Sequence, residues 1–195
     1  MPRYIRTFPN ALDHKTCNRL ISKFEESKGV KADPQPEYTT RRSLFLTGEL
    51  SWASECMDLV NKSFPLVDKY FERPPELAET RPCEWLDDGW VMACYDQGAT
   101  CAVHADGQNP EGPYNGHRIA TMLFFLNDVP EGGEIYFPLQ DIKIKPEAGK
   151  GLIFPPGYHH PHEVLPPKTA RYIAQTWITD AEMIIQKRPD WEADY

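Results

Sequence analysis

The chain has 195 residues, 41% hydrophobic and 26% charged, a balance that supports one folded domain with a sizeable core and excludes wholesale disorder. A formal net charge of −8 argues against a nucleic-acid backbone as a general partner, and no apolar run of about 20 residues is present to span a bilayer. The cysteines, Cys17, Cys56, Cys83, Cys94 and Cys101, are odd in number and form no C-x-x-C, so the expectation is reduced thiols in a cytoplasmic protein rather than a disulfide framework or zinc knuckle.

In chain order, ALDHKTCNRLISKFEES carries Leu12, Cys17, Leu20, Ile21 and Phe24 near helical spacing after Asp13, which predicts a helix over 13–27 with Asp13 as its N-cap. KADPQPEYTT reads as a loop, and RRSLFLT as a short strand. A second helix is expected in residues 49–71, where Trp52, Cys56, Leu59, Val60 and Phe64 recur at three and four, with Pro65 kinking or ending it. After the break RPPELAETRP come short apolar runs separated by Gly, Pro, Asn and Asp: WVMACY, CAVH, HRIATMLFFLND, GEIYFP, DIKIKP, KGLIFPP, HEVLPP and ARYIAQTWIT. Such a series predicts a mainly β fold, a two-sheet jelly roll or barrel buttressed by the N-terminal helices. The expected organisation is a single domain over 1–195, with a helical support over about 1–84 and a jelly-roll core over about 85–180. Gly132 and Gly133 are expected in a tight hairpin, and Arg118 in a structural ion pair.

The chemistry concentrates in three places. His104 and Asp106 form an H-x-D at the end of CAVH, and residues at i and i+2 of an extended segment point to one side, so both can enter one cavity. Two histidines and a carboxylate on one face of an octahedron bind non-haem Fe(II) and leave the other positions open. His159, His160 and His162 are the available third ligands. His162 is favoured because HEV reads as a strand entering the core and Arg171 follows nine residues later. A guanidinium returned to the same cavity could clamp the far carboxylate of a 2-oxoglutarate cosubstrate.

The motifs VMACYDQGATCAVHAD, HRIATMLFFLNDVPEGGEIYFP and HHPHEVLPPKTARYIAQTWITD, taken together and in this order, resemble the prolyl 4-hydroxylase and oxygen-sensing prolyl hydroxylase branch of the 2-oxoglutarate and Fe(II)-dependent dioxygenases. The resemblance covers residues ~85–180 and implies a double-stranded β-helix, the jelly roll of that family. It implies that His104, Asp106 and His162 bind iron, that Arg171 binds the distal carboxylate of 2-oxoglutarate, that Tyr95 lies beside the cosubstrate and that Trp177 lines the substrate pocket. Oxygen-sensing members carry a tyrosine where this chain has Phe125, and Thr121, which shares a face with Leu123 and Phe125 by period-two alternation, is a candidate to compensate. Implied cofactors are Fe(II) and 2-oxoglutarate, with ascorbate as a further candidate. Implied partners are dioxygen and a proline-containing peptide or protein, with no nucleic acid and no membrane. The implied activity is oxidative decarboxylation of 2-oxoglutarate coupled to prolyl hydroxylation. Alternatives are a hydroxylase of a free amino acid or small metabolite, a non-catalytic iron and 2-oxoglutarate sensor, or a sugar-binding or structural jelly roll without metal. The polar loops 31–43 and 107–117 are candidate substrate-selecting segments.

Overall fold

The computed structural model describes residues 4–72, 85–108 and 118–180. Twelve strands and two α-helices occur among them: β1 (Arg6–Phe8), α1 (His14–Glu26), β2 (Lys31–Ala32), β3 (Arg42–Phe45), α2 (Ala53–Tyr70), β4 (Trp85–Asp87), β5 (Val91–Tyr95), β6 (Cys101–His104), β7 (Arg118–Phe125), β8 (Ile135–Phe137), β9 (Ile142–Ile144), β10 (Gly151–Phe154), β11 (His162–Val164) and β12 (Arg171–Asp180). They form an eight-stranded sheet in the order β1-β10-β7-β12-β5-β3-β2, with β4 also paired to β12, and a four-stranded sheet in the order β6-β11-β8-β9. Every pairing is antiparallel. All eight apolar runs after the RPPELAETRP break are strands, as their composition requires.

Alternation along the long strands builds two cores. On the central pair β7 and β12, Ala120, Met122 and Phe124 with Ala174 and Ile178 pack in the same cluster as Cys17, Leu20 and Phe24 of α1 and Leu59 and Val67 of α2. The opposite residues, Leu123, Phe125 and Ile173, pack with Cys101, Ile135, Phe137 and Val164 of the smaller sheet. The helices therefore cover one face of the large sheet, and the small sheet covers the other.

Helix α1 starts where Asp13 accepts the Thr16 N–H at 2.8 Å and its hydroxyl at 2.9 Å, a side-chain cap for otherwise unpaired N-terminal donors. Glu55 of α2 is buried but paired with Lys23 at 2.7 Å and Arg19 at 3.6 Å, which ties the two helices together. Helix α2 runs through Pro65 to Tyr70 and does not end there. Leu59 and Ser63 before the proline and Val67 after it are all buried, so packing on both sides outweighs the one hydrogen bond that proline cannot donate.

The glycine pair belongs to a different structure from a one-sheet hairpin. Gly132 and Gly133, both at φ 73°, join β7 of the large sheet to β8 of the small one. A methyl group on Gly132 would strike the Pro166 carbonyl oxygen, so the turn packs against the β11–β12 connection. Among the described residues no helix is long and apolar enough to cross a membrane, and Cys17, Cys56, Cys94 and Cys101 are free thiols. Most of the loop 107–117 and the break 73–82 lie outside the described residues.

Candidate active site

Between the two sheets lies a cavity of about 510 Å³, and strand pairing brings the candidate ligands to its wall. His104 ends β6 and His162 begins β11, and the two are register partners, which sets their rings 4.3 Å apart between centroids. Asp106 follows in a 3-10 turn, Asp106–Gln108. It reaches the histidines because the chain turns there, not through strand pleat alone. Its Oδ1 lies 3.5 Å from His104 Nε2 and its Oδ2 lies 3.7 Å from His162 Nε2. The three ligand atoms all fall within 4.8 Å of one another.

Backbone carbonyls fix which nitrogens face the centre. His104 Nδ1–H donates to the Ala102 carbonyl at 2.8 Å, and His162 Nδ1–H to the His160 carbonyl at 3.2 Å. Both Nε2 atoms are left to point at Asp106, the arrangement that supporting hydrogen bonds give metal-bound imidazoles. Thr121 Oγ1 donates to Asp106 Oδ2 at 2.5 Å, and Arg118 donates to the Asp106 backbone carbonyl at 3.1 Å while pairing with Asp88 at 2.7 Å. Asp106 is thus oriented at its carboxylate and its main chain. In the metal-free protein, burial opposes the charge on both groups of the pair. The Asp106 and Cys101 contacts nevertheless raise the His104 imidazolium to about 10, while His162, His104 and Thr121 hold the Asp106 carboxyl well below its ordinary range. Burial pushes His162 down, so it presents a neutral ring. Of the three candidate histidines only His162 lines the cavity; His160 contributes the carbonyl that orients it.

Arg171 begins β12 opposite Tyr95 and is fully buried in the same cavity. Its guanidinium carbon stands 4.8 Å from the centroid of the Tyr95 ring and 5.2 Å from that of Phe125, and none of its three nitrogens has a hydrogen-bond partner. Burial pulls its pKa down to about 10, still a cation at neutral pH. A buried cation among aromatic faces with every donor unused is a site shaped for an anion. This donor set fits the carboxylate of 2-oxoglutarate, as the His-Asp-His set fits Fe(II).

Tyr95, Thr121 and Trp177 also line the cavity. Trp177 lies across from Thr121 in the β12–β7 pairing, with the Arg118 guanidinium 3.8 Å from its ring centroid. Among the wall residues that the sequence did not single out are Tyr38, Arg41 and Gln175. Gln175 was within reach, since it alternates with Arg171, Ile173 and Trp177 along one strand face. Tyr38 and Arg41 gave no such signal. They come from the 31–43 loop, whose end is fastened along β6 by Ala102 N–H to the Tyr38 carbonyl at 2.9 Å, Thr40 N–H to the Thr100 carbonyl at 3.1 Å and a bridge between Thr39 and Cys101.

Comparison with known proteins finds this geometry in others. Residues 90–179 match the model of the 2OG-Fe(II) oxygenase superfamily, a span that includes His104, Asp106, His162 and Arg171. A probable prolyl 4-hydroxylase 9 of Arabidopsis thaliana is 36% identical over 77 residues, covering 31% of this chain and 27% of the plant protein, so the match spans about a quarter of that relative. A Trichoplax adhaerens prolyl hydroxylase, solved with a hypoxia inducible factor oxygen degradation domain peptide fragment, superposes with a TM-score of 0.73 at 18% identity over 95% of this chain and 88% of that one. The viral collagen prolyl hydroxylase of Paramecium bursaria Chlorella virus-1, solved with 2OG, superposes with a TM-score of 0.66 at 20% identity over 91% and 96%. The structural likeness covers more than nine-tenths of the chain and so extends beyond the matched segment: the chain has the double-stranded β-helix fold of these prolyl hydroxylases, and residues 90–179 of it resemble the 2OG-Fe(II) oxygenase superfamily.

Proposed function

We propose that this chain is an Fe(II)- and 2-oxoglutarate-dependent hydroxylase whose substrate is a prolyl residue in a peptide or protein. The observation that carries the reading is the meeting, in one cavity, of a His-Asp-His triad and a buried arginine with no partner. Neither feature stabilises an empty protein, because unpaired buried charge is costly and converging ligands repel or trap protons. The prolyl assignment rests on the plant relative and on the shape shared with enzymes acting on prolyl residues. The single-domain organisation, with residues 1–84 supporting a core over 85–180, rests on the common cluster that joins α1 and α2 to β7 and β12.

His104, Asp106 and His162 would hold Fe(II) from one side, and Arg171 would fix the distal carboxylate of 2-oxoglutarate. With dioxygen, that pair supplies the oxidation: 2-oxoglutarate goes to succinate and carbon dioxide, and one oxygen atom enters a substrate C–H bond. The chain's own contribution is placement. Thr121 and Arg118 hold Asp106 so that one carboxylate oxygen faces each histidine, the two backbone carbonyls hold the rings, and Leu123, Ile173 and Phe154 line the cavity with apolar surface. Tyr95, on the cavity wall, presents its ring to the Arg171 guanidinium and its hydroxyl to Arg41. Trp177 and Arg118 form the wall beside the triad.

The test is direct. Iron-loaded protein is incubated with 2-oxoglutarate, dioxygen, ascorbate and either proline-containing peptides or free proline, while succinate and a product heavier by one oxygen atom are followed by mass spectrometry. The expected result is coupled succinate and hydroxyprolyl peptide. Oxygen on a non-prolyl metabolite alone would move the substrate assignment, and no succinate above the metal-free control would remove the enzyme reading.

A further inference from the structure

The polar groups of the cavity are unevenly committed. Thr121 spends its hydroxyl on Asp106 at 2.5 Å, and Arg118 is paired with Asp88 at 2.7 Å. Phe125, beside Arg171, offers no hydrogen bond at all. Arg41 differs from these. Its Nε meets Asp33 Oδ2 only at 3.4 Å, its Nη1 meets the Tyr95 hydroxyl at 3.5 Å, and its Nη2 makes no hydrogen bond to the described residues. The side chain is 21% exposed and lines the cavity. Tyr95 is the link, with Arg171 over its ring and Arg41 at its hydroxyl. Two cations therefore flank one tyrosine on the same cavity wall, and only the weak contact to Asp33 answers the second.

Position supports a ligand role over a surface one. Arg41 is not carried by a free loop: Asp33 N–H donates to the Arg41 carbonyl at 3.0 Å, and the preceding residues 38–40 lie along β6, the strand that ends in His104. A guanidinium held this way is already oriented, so little side-chain freedom is lost when a carboxylate arrives.

We propose that Arg41 is a second carboxylate-recognising residue of the cavity, acting together with the Tyr95 hydroxyl on the dicarboxylate whose far end Arg171 holds. This rests on the reading of the cavity as a 2-oxoglutarate site, and it adds to that site a residue delivered by the 31–43 loop.

The experiment titrates 2-oxoglutarate into Mn(II)-loaded protein without any hydroxylation substrate, by calorimetry, so that turnover plays no part. Four variants are compared with the wild type: Arg41→Gln, Arg41→Lys, Asp33→Asn and Arg171→Met. Arg41→Gln should weaken 2-oxoglutarate about tenfold, the low end for losing a charge-assisted hydrogen bond at a partly solvated site, with Arg41→Lys between it and the wild type. Asp33→Asn keeps the guanidinium and removes its competitor, so binding should be unchanged or tighter. If Arg41 merely anchored the loop through Asp33, Asp33→Asn would weaken binding as Arg41→Gln does, and that result overturns the proposal. Should Arg41→Gln fold poorly, as judged by its melting curve, Arg41→Lys and Asp33→Asn still decide: wild-type affinity in the lysine variant refutes it. Affinity within twofold of wild type in Arg41→Gln also refutes it, and sends Arg41 to the organic substrate's carboxylate if the KM for an acidic peptide rises instead. Arg171→Met separates the two levels, because binding lost there but kept in Arg41→Gln defeats only this inference, whereas binding kept in both defeats the 2-oxoglutarate site itself.

Discussion

Replacing Arg171 with methionine should do opposite things to the empty and the loaded protein. In the empty protein the guanidinium is fully buried with Nε and both Nη atoms unpartnered, so its charge is a cost that the apolar side chain removes while filling similar space. The metal-loaded but cosubstrate-free variant should therefore melt no lower than the wild type. The loaded state loses a bidentate, charge-assisted contact worth roughly 1.5–3 kcal/mol, which weakens 2-oxoglutarate by about 10- to 150-fold. Ligand stabilisation follows the ratio of concentration to Kd. At 100 times the wild-type Kd it is about 2.7 kcal/mol, and a 100-fold weaker variant at the same concentration keeps only roughly 0.4 kcal/mol. The assay is a pair of melting curves on Mn(II)-loaded protein with and without 2-oxoglutarate, together with the KM for 2-oxoglutarate in succinate formation. A variant that melts well below wild type when empty, yet gains the wild-type increment on adding 2-oxoglutarate, would show Arg171 to be a structural cation and refute the anion-site argument.

Asp106→Ala should lose metal affinity and succinate formation together while keeping a cooperative melt; full succinate production would refute the triad. His162→Ala should be as damaging to metal binding as His104→Ala, with His160→Ala close to wild type because only the His160 main-chain carbonyl is used; calorimetric metal titration reads all three. Thr121→Val keeps the shape and removes the hydrogen bond to Asp106, so Mn(II) affinity should fall about 10-fold or more, the usual effect of losing a group that supports a metal ligand, and an unchanged titration would contradict that role. Gly132→Ala should cost about 1–3 kcal/mol in chemical denaturation, since the new methyl meets the Pro166 carbonyl at a positive φ, and a neutral result would mean the turn is not packed as described. Cys17 and Cys94 are buried, which pushes their thiols up to about 11 and about 12; at pH 8 both should resist iodoacetamide in the native protein and react after unfolding, and fast native labelling of either would count against the packing.

How much of this the sequence disclosed depended on whether a residue's role was set locally. The runs from Val91 to Asp180 read as strands because each carries its own alternation, and Thr121, Leu123 and Phe125 do share the cavity-facing side. Strands β1, β2 and β4 passed unread, and each pairs with a longer neighbour that lies far from it in sequence or across a turn. Of the two effects that Pro65 predicts, a kink or an end, the end does not occur, because a core holds the helix on both sides.

The site divides along the same line, with consequences for where specificity resides. His104, His162 and Arg171 lie at strand ends and Asp106 in the turn just after one, and the resemblance and the spacing pointed to all four. Thr121 was assigned to the cavity by its face, yet the partner of its hydroxyl, Asp106, is fixed by how the 3-10 turn folds back over β7. Arg41 and Tyr38 depend on main-chain hydrogen bonds between segments about 60 residues apart, in which donor and acceptor are backbone groups that every sequence possesses. Such contacts leave no residue signature. The metal and distal-carboxylate ends of the cavity are thus written into the β core, whereas part of its wall is completed by a loop that supplies Tyr38 and Arg41. Differences between this chain and other enzymes of the same fold should therefore be sought first at positions 35, 38 and 41, whose side chains reach the cavity, while Thr39 and Thr40 add side-chain hydrogen bonds to the backbone fastening.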